Sequence, residues 1–473
     1  MYMARTSLTI DGDFVIKNRF RQFNPKERFF MSKASCRVAV LLFIMTSSIF
    51  ALYLFSGEVS ELEWKSERLN EENTSFYQGS SANIGVSIWV GYTGDVIAAR
   101  LIAANGLVYV ASMDGRVYAY DAELGAKVWE TEVTLPFTWS ARIPVGGIVA
   151  SPVYYNGILY VVVRQGGVVA LNALTGKVFW EYNMENMTAV TPTIVDGKYM
   201  VISDNTGAIF ILDLSTRKPV RYYHFREFIW AKAAYDGAKY VYLGTSRGRI
   251  VKLDKEDWDI VTQTFVSGGI TGAIVYDKGY LYITTNAGYL YKLLAENLSV
   301  VWSLRLMGPV YGGPSISDKY VFVASMDTNV YCIEKKTGRI IWKVGLKYES
   351  SSSIAVSESY IYLVDDGGYV YCIDIKTGTI LWMKEEFGGA KLEAWKITSG
   401  LNLVRGLQGP IIYRGNVYVG LIDKRVIAYG EGGRVSISPL LLYSAVVVAI
   451  ALIIVAGIER RGLRRRRKLR SRK

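Results

Sequence analysis

Cysteine and histidine are scarce in this chain. Its 473 residues include three cysteines and a single histidine, His224. Three cysteines cannot build a disulfide framework in a chain of this length. One histidine leaves at most one candidate for a histidine metal ligand or a Ser/His/Asp base, and no phosphate-binding loop or Cys/His cluster occurs. The composition therefore offers few of the cysteine and histidine residues that common hydrolytic and metal-dependent enzymes use.

The cysteines themselves are predicted to be structural. Cys332 and Cys372 occupy the same place in two similar segments, VYCIE and VYCID. Neighbouring sheets pack about 10 Å apart, whereas a disulfide needs Cα atoms within about 7 Å. We therefore expect two small apolar core residues, with a bridge as the alternative. Cys36 precedes an apolar run and is a candidate for acylation.

The large middle of the chain lacks net charge. The formal net charge of +13 divides into +5 for residues 1–37, +9 for residues 459–473 and −1 for the residues between them. The high pI thus belongs to the two ends, and the middle carries no polyanion-binding signal. The Arg-rich tail could bind nucleic acid, but a basic segment beside a membrane is more often a topology determinant that attracts anionic lipid. We expect membrane lipid, and no nucleic acid, as a partner.

Two uncharged apolar runs have the length of a bilayer span: Val38–Phe55 and Leu440–Ile458. A cleaved signal peptide is the alternative for the first run, although 37 residues precede it. Lys and Arg flank the outer end of each run, which predicts a two-pass protein of the cell membrane with both termini in the cytoplasm and the middle outside the cell. The predicted segments are a basic cytoplasmic segment (1–37), a transmembrane helix (38–56), a linker (57–81), an extracellular domain (82–432), a second transmembrane helix (437–458) and an Arg-rich cytoplasmic tail (459–473).

An internal repeat sets the expected fold. A Gly-x-x-x-Trp element recurs, and alignment gives eight equivalent positions separated by 40 or 41 residues, with one interval of 51. These positions are Gly85, Gly125, Gly176, Arg217, Trp258, Leu298, Gly338 and Gly378. Each repeat has the pattern of four short strands, and a four-stranded sheet must stack on its neighbours around a ring to cover both faces.

The order of strands at the two ends predicts how the ring closes. Gly85–Trp89 precedes the first complete repeat, whereas the last strands, ending with Arg425–Tyr429, have no Gly-x-x-x-Trp strand after them. The N-terminal strand should complete the last sheet and remove the exposed edges. The predicted fold is all-β: an eight-bladed β-propeller of four-stranded blades with N-terminal strand closure, flanked by two transmembrane helices. A seven-bladed ring with spare strands is the alternative.

The repeats resemble the pyrroloquinoline-quinone (PQQ)-like repeat β-propeller family. The matching segments are AYDAELGAKVW (119–129), ALNALTGKVFW (170–180), CIEKKTGRIIW (332–342) and CIDIKTGTILW (372–382). In that family the tryptophan wedges against the neighbouring blade. The resemblance therefore implies that the following are packing residues: Trp89, Trp129, Trp180, Trp302, Trp342 and Trp382.

Candidate binding residues lie in loops that depart from the repeat. The chain alternates ends within a blade, so the outer strands should end on one face, which also holds the turns between the second and third strands; we call this the top face. Its longest departures are Glu132–Gly147, Tyr223–Trp230 and Glu385–Gly409. Loops on a rigid scaffold often carry binding, and aromatic and basic residues dominate binding hot spots. The candidate partner-binding residues are Trp139, Arg142, His224, Arg226, Trp230 and Trp395.

The predicted function is a non-catalytic cell-surface binding or assembly scaffold with a protein or glycan partner on its outward face. The first alternative is a membrane-bound quinoprotein dehydrogenase, because the family includes enzymes that hold PQQ and calcium on the propeller axis. Those enzymes often have a disulfide between adjacent cysteines, and this chain has no such pair. The second alternative is a transmembrane sensor with a ligand-binding propeller. No catalytic residue, cofactor or metal is predicted.

Overall fold

The computed structural model describes residues 62–133, 147–164, 166–184, 190–204, 206–386 and 409–431. Within these residues, 32 strands form eight antiparallel sheets of four strands each. The expectation of an eight-bladed all-β propeller is confirmed. Both apolar runs predicted to span a membrane lie outside the described residues, and none of the residues that are described forms a helix long and apolar enough to cross a bilayer.

The strands follow the chain blade by blade, from the innermost strand outwards. Blade 1 contains β2 (Ile102–Ala104), β3 (Leu107–Ala111), β4 (Arg116–Asp121) and β5 (Lys127–Glu132). Blade 2 contains β6 (Val153–Tyr155), β7 (Ile158–Val163), β8 (Gly167–Asn172) and β9 (Val178–Asn183). Blade 3 contains β10 (Thr193–Val195), β11 (Tyr199–Ser203), β12 (Ala208–Asp213) and β13 (Lys218–His224). Blade 4 contains β14 (Ala234–Tyr235), β15 (Tyr240–Gly244), β16 (Arg249–Asp254) and β17 (Ile260–Phe265).

The second half of the ring repeats this arrangement. Blade 5 contains β18 (Val275–Asp277), β19 (Tyr280–Thr284), β20 (Tyr289–Leu294) and β21 (Val300–Arg305). Blade 6 contains β22 (Ser315–Ile316), β23 (Tyr320–Ala324), β24 (Asn329–Glu334) and β25 (Ile340–Gly345). Blade 7 contains β26 (Ala355–Val356), β27 (Tyr360–Val364), β28 (Tyr369–Asp374) and β29 (Ile380–Glu385). Blade 8 contains β30 (Ile411–Tyr413), β31 (Asn416–Gly420), β32 (Arg425–Gly430) and β1 (Val86–Tyr92).

The N-terminal strand closes the ring as predicted. Strand β1 pairs antiparallel with β32, with Val86 opposite Gly430 and Trp89 opposite Ala428. One buried apolar cluster joins blades 7, 8 and 1, so the seam is packed on both sides like any other interface. The first and last strands of the propeller therefore share one sheet.

Burial explains the strand sequences. The second and third strands of each blade are buried on both faces because each sheet is stacked between two neighbours; β3, for example, is buried at every residue. The outer strands alternate between exposed and half-buried residues, as in β17 and β21. Continuous apolar runs therefore mark the middle strands, and alternating patterns mark the rim.

The repeated glycine lies in the turn before the outer strand, directly under a tryptophan of the preceding blade. Gly338 has a φ of +74°, and a Cβ added there would lie 2.9 Å from the Trp302 ring. Gly378 has the same relation to Trp342. The indole N–H of Trp342 donates to Ile375 O at 2.8 Å, which fixes the ring against the next blade. Glycine is favoured here because the backbone is left-handed and no side chain fits.

The described residues of the predicted linker pack inside the ring. Residues 62–81 do not span open solvent but lie against the innermost strands: Trp64 forms a bridge with Ala103, and Phe76 forms one with Val356. Trp64 and Arg68 are fully buried. The segment has no strand pattern, and the bridges that place it join residues distant in the chain, so the sequence alone did not indicate this packing.

The prediction for two of the cysteines is confirmed. Cys332 and Cys372 are buried and free. Each lies on the third strand of its blade, opposite Trp342 or Trp382 on the outer strand. Cys36 lies outside the described residues.

Candidate partner-binding face

The connection from β13 to β14 crosses the top face and carries an exposed aromatic pair. The rings of Phe228 and Trp230 are parallel within 7°, with centroids 5.6 Å apart. Phe228 is 54% exposed and Trp230 38% exposed, while Ile229 between them is fully buried. The alternation therefore points both rings outwards from a backbone that is anchored by Ile229.

A buried ion pair fixes this connection to blade 4. The Glu227 carboxylate accepts a hydrogen bond from Thr245 Oγ1 at 2.6 Å and one from Arg249 Nη2 at 2.7 Å. Burial alone would raise the pKa of Glu227, but the hydrogen bonds and charge of Arg249, with the bond from Thr245, outweigh it and lower the pKa. Ser246 N also donates to Phe228 O at 2.8 Å. The aromatic pair thus stands on a rigid support.

Two other predicted residues precede the pair in the chain. His224 is exposed, and its Nδ1 accepts a hydrogen bond from the backbone N–H of Arg226 at 3.1 Å. Arg226 is exposed and has a φ of +55°. His224 therefore ends β13, and Arg226 and Trp230 follow it in the connection to β14. Trp139, Arg142 and Trp395 lie outside the described residues.

Sequence reasoning missed three exposed apolar side chains on this face. Phe228 belongs to the predicted loop but was not among the candidates. Met307, 87% exposed, and Tyr348, 45% exposed, occupy the equivalent connections into blades 6 and 7. Those connections have the regular repeat length, so loop length did not mark Met307 and Tyr348 as candidates. The available signal was an apolar residue at a loop position that faces solvent.

The carboxylates in the turns of the top face accept hydrogen bonds from residues of the same turn and of the strand that follows it. Asp114 accepts hydrogen bonds from Arg116 N at 2.9 Å and Tyr118 Oη at 2.6 Å. Asp365 is buried, which raises its pKa even though Tyr369 N and Tyr371 Oη donate to it. Within the described ranges, no group of three or more His, Cys, Asp or Glu side chains is arranged to hold a metal ion.

Two buried arginines occupy the axis of the ring. Arg68 donates to Gly313 O at 3.2 Å and to Pro314 O; Arg100 donates to Gly409 O at 3.0 Å and to Pro410 O. Burial lowers the pKa of Arg68 to about 10, and burial together with the nearby charge of Arg68 holds the pKa of Arg100 well below its usual value.

The bonding of Arg68 and Arg100 bears on an axial quinone cofactor. Buried arginines would suit the carboxylates of PQQ by charge, but both side chains are fully buried, and backbone carbonyls accept hydrogen bonds from Arg68 Nη1 and Arg100 Nε.

Comparison with known proteins identifies the family. A family model described as outer membrane protein assembly factor BamB, built on PQQ-type repeats, matches residues 64–220, 137–267, 221–331 and 299–436. The chain belongs to this BamB family.

Individual relatives agree with this assignment. The chain is 25% identical over 179 residues to the outer membrane protein assembly factor BamB of Kangiella koreensis, a match that covers 37% of the chain and 45% of the relative. The chain thus spans less than half the length of the curated BamB relatives that it matches first.

Solved structures share the fold. BamB from Moraxella catarrhalis superposes with a TM-score of 0.59 at 20% identity, over 74% of this chain and 99% of that one. A europium-containing methanol dehydrogenase superposes with a TM-score of 0.62 at 13% identity, over 78% of this chain and 98% of that one. At these identities the likeness shows the fold alone, and the same ring serves both an assembly factor and an enzyme.

The predicted location is wrong. The sequence predicted a two-pass protein of the cell membrane with both termini in the cytoplasm and an extracellular propeller, whereas the BamB relatives are named for the assembly of outer membrane proteins. An outer membrane does not border the cytoplasm. The rule that Lys and Arg mark the cytoplasmic side applies to membranes that do border it, so basic flanks alone were an insufficient signal.

Proposed function

We propose that the propeller is a non-catalytic assembly scaffold that binds a protein partner through its top face. The family match over the propeller supports this proposal, because the relatives are named assembly factors rather than enzymes. The observation that carries it in the structure is the stacked pair of Phe228 and Trp230, held outwards by the buried Glu227–Arg249 ion pair.

Binding at this site should cost little conformational entropy, because the two rings are already held in one arrangement. Exposed aromatic side chains supply large contact areas at binding hot spots, and a pre-stacked pair loses little conformational freedom on binding. His224 and Arg226 are exposed polar residues shortly before the pair in the chain, and we propose both as partner contacts. Trp139, Arg142 and Trp395 remain proposed contacts from other loops of this face.

A binding experiment with matched variants tests the site. Full-length protein with Phe228→Ala and Trp230→Ala, crosslinked in intact cells and recovered, should lose the proteins that the unmodified chain recovers. The control is Phe179→Ala, because Phe179 is similarly exposed, at 49%, but lies near the start of the outer strand of blade 2. Unchanged recovery with the double variant, or equal loss with the control, would contradict a top-face site.

We propose that this propeller holds neither PQQ nor calcium. The two buried arginines support this view, since backbone carbonyls accept hydrogen bonds from Arg68 Nη1 and Arg100 Nε. Titration of the purified full-length chain with PQQ and calcium should leave the cofactor absorbance unchanged. Saturable one-to-one binding would instead favour the dehydrogenase alternative.

Membrane lipid and glycan are further proposed partners. The apolar runs Val38–Phe55 and Leu440–Ile458 have the length to anchor the propeller at a bilayer as transmembrane helices. A stacked aromatic pair also offers a flat apolar surface to a sugar ring. Recovery of glycan rather than protein in the crosslinking experiment would identify the second class.

A further inference from the structure

The innermost strands of a propeller have one edge without a strand partner, and those edges face the axis. Their backbone N–H groups therefore need acceptors from elsewhere. Residues 62–82, which we call the axial segment, supply them. Within the described residues, one equivalent amide in each of blades 1 to 7 donates to this segment: Ala103 to Trp64 O, Tyr154 to Lys65 O, Ile194 to the Glu71 carboxylate, Tyr235 to Glu71 O, Tyr276 to Glu72 O, Ile316 to Thr74 O and Val356 to Ser75 O.

The segment also reaches the last blade. Ala82 N donates to Gly415 O at 2.8 Å, in the turn between β30 and β31. The chain therefore visits the inner edges in blade order before it enters β1 at the seam. This order follows from a segment that circles the axis once.

Asn73 joins two blades to the segment. Its Nδ2 donates to Ala233 O at 2.9 Å in the lead to blade 4 and to Ile274 O at 2.8 Å in the lead to blade 5. Its Oδ1 accepts from the buried Lys232 Nζ at 2.7 Å. Lys232 in turn pairs with Glu71 at 3.0 Å. One amide side chain thus fixes a buried cation and two neighbouring sheets.

Two buried arginines connect the axial segment with blades 6, 8 and 1. Arg68 extends from the segment to Gly313 O and Pro314 O at the start of blade 6. Arg100 extends from blade 1 to Gly409 O in blade 8, and its guanidinium lies 5.0 Å from the centroid of the Trp64 ring. Arg68 therefore ties the segment to blade 6, and Arg100 contacts it where blades 1 and 8 meet.

These contacts have an energetic cost. Leu69, Asn73 and Ser75 adopt positive φ angles of 78°, 64° and 54°, and Arg100 Nη1 is buried without a hydrogen-bond partner among the described residues. Strained backbone and an unsatisfied buried donor persist only where surrounding contacts determine the conformation. Hydrogen bonds to every blade supply such contacts.

We propose that the axial segment is a fastener that holds the ring shut. Strand β1 closes one seam at the rim, whereas the axial segment joins all eight blades at the centre. Opening any blade interface at the axis then requires the segment to leave several blades at once. The inner edges of blades 1 to 7 are protected as one cooperative unit.

Hydrogen exchange on the full-length chain tests the cooperativity. Asn73→Ala removes the bonds to Ala233 and Ile274 and one partner of Lys232. We expect at least roughly tenfold faster exchange at the amides of Ala103, Tyr154, Ile316 and Val356, which lie in blades that Asn73 does not touch. Asn83→Ala is the matched control, because Asn83 is exposed and makes one long hydrogen bond, 3.5 Å, to Tyr360 Oη. The control should leave these amides unchanged.

Two outcomes would overturn the proposal. Faster exchange confined to Tyr235 and Tyr276, next to the substituted side chain, would mean that the segment is a set of independent local contacts. Unchanged exchange throughout would mean that it does not hold the inner edges. Should Asn73→Ala fail to fold, Arg68→Lys is the second variant: it keeps the charge and weakens the contact with blade 6 and the bond from Arg68 Nε to Asn73 O within the segment. It must still accelerate exchange at Ala103 and Tyr154 if the fastener is one unit.

Discussion

At the scale of single residues, the left-handed turn before the outer strand of blades 1 to 7 determines which side chains the ring tolerates. The equivalent position in these blades has positive φ even where the glycine is replaced, with 56° at Arg217, 63° at Trp258 and 61° at Leu298. Each exception lies where packing differs: the Arg217 guanidinium lies 5.6 Å from the Trp180 ring centroid, and Trp258 and Leu298 are buried at interfaces where the preceding blade lacks its tryptophan. Large residues at the turn thus fill space that the missing indoles leave.

Two glycine substitutions separate backbone strain from steric conflict. Gly279 and Gly338 have φ of +85° and +74°, but a Cβ at Gly279 meets nothing within 4 Å, whereas one at Gly338 lies 2.9 Å from Trp302. Gly279→Ala should cost about 1–2 kcal/mol from the left-handed backbone. Gly338→Ala should cost about 1–3 kcal/mol more, from overpacking. Denaturant unfolding measures both, and equal losses would contradict the packing role of Trp302.

The buried thiols give a prediction about reactivity. Burial raises the pKa of Cys332 and of Cys372 to about 12, while an exposed thiol is half ionised near pH 8.5. Because only the thiolate is nucleophilic, neither cysteine should react with a thiol reagent at about pH 8.5 in the folded protein. Both should react in denaturant. The Cys36→Ser variant restricts the count to these two, and rapid modification in the native state would contradict their burial.

At the scale of strands and blades, the sequence predicted the regular parts well. The Gly-x-x-x-Trp spacing gave the number of blades and the pairing of β1 with β32, because each repeat needs the next one to cover it. The axial segment was missed because Arg68 and Asn73 are polar and look like linker residues until the inner edges that they bind are known. Phe228 was missed because its loop offered several aromatics without showing which faced outwards.

Blade 4 offers a test of compensation between neighbouring blades. Thr262 stands where other blades have tryptophan, Leu298 stands at the following turn, and Lys252 Nζ donates to Ala295 O at 3.0 Å, the position equivalent to the acceptor of Trp302. Thr262→Trp should destabilise the protein because Leu298 occupies the space. Adding Leu298→Gly should recover about 1–2 kcal/mol of that loss by a double-mutant cycle.

The control for this cycle pairs Thr262→Trp with Leu124→Gly. Leu124 is 70% exposed in the corresponding turn of blade 1 and lies far from blade 4. Those two effects should add within about 0.5 kcal/mol. Additivity in the Leu298 cycle as well would show that the two positions do not share one packing site.

At the scale of the whole molecule, the ring is closed twice: by β1 at the rim and by the axial segment at the centre. A closed ring leaves its loops as the available binding surface, which agrees with the proposed assembly role. The predicted cellular location was wrong because Lys and Arg beside an apolar run indicate the cytoplasmic side only when the membrane in question borders the cytoplasm.

Distances across the seam test the closed ring most directly. Ile88, Val128, Phe179, Ile341 and Leu381 each precede the tryptophan of an outer strand and are exposed. Spin labels on the seam pairs Leu381/Ile88 and Ile88/Val128, in a Cys36→Ser background, should give the same distance by double electron–electron resonance as the ordinary neighbours Ile341/Leu381 and Val128/Phe179. An Ile88 label that lies far from both Leu381 and Val128 would contradict closure by the N-terminal strand.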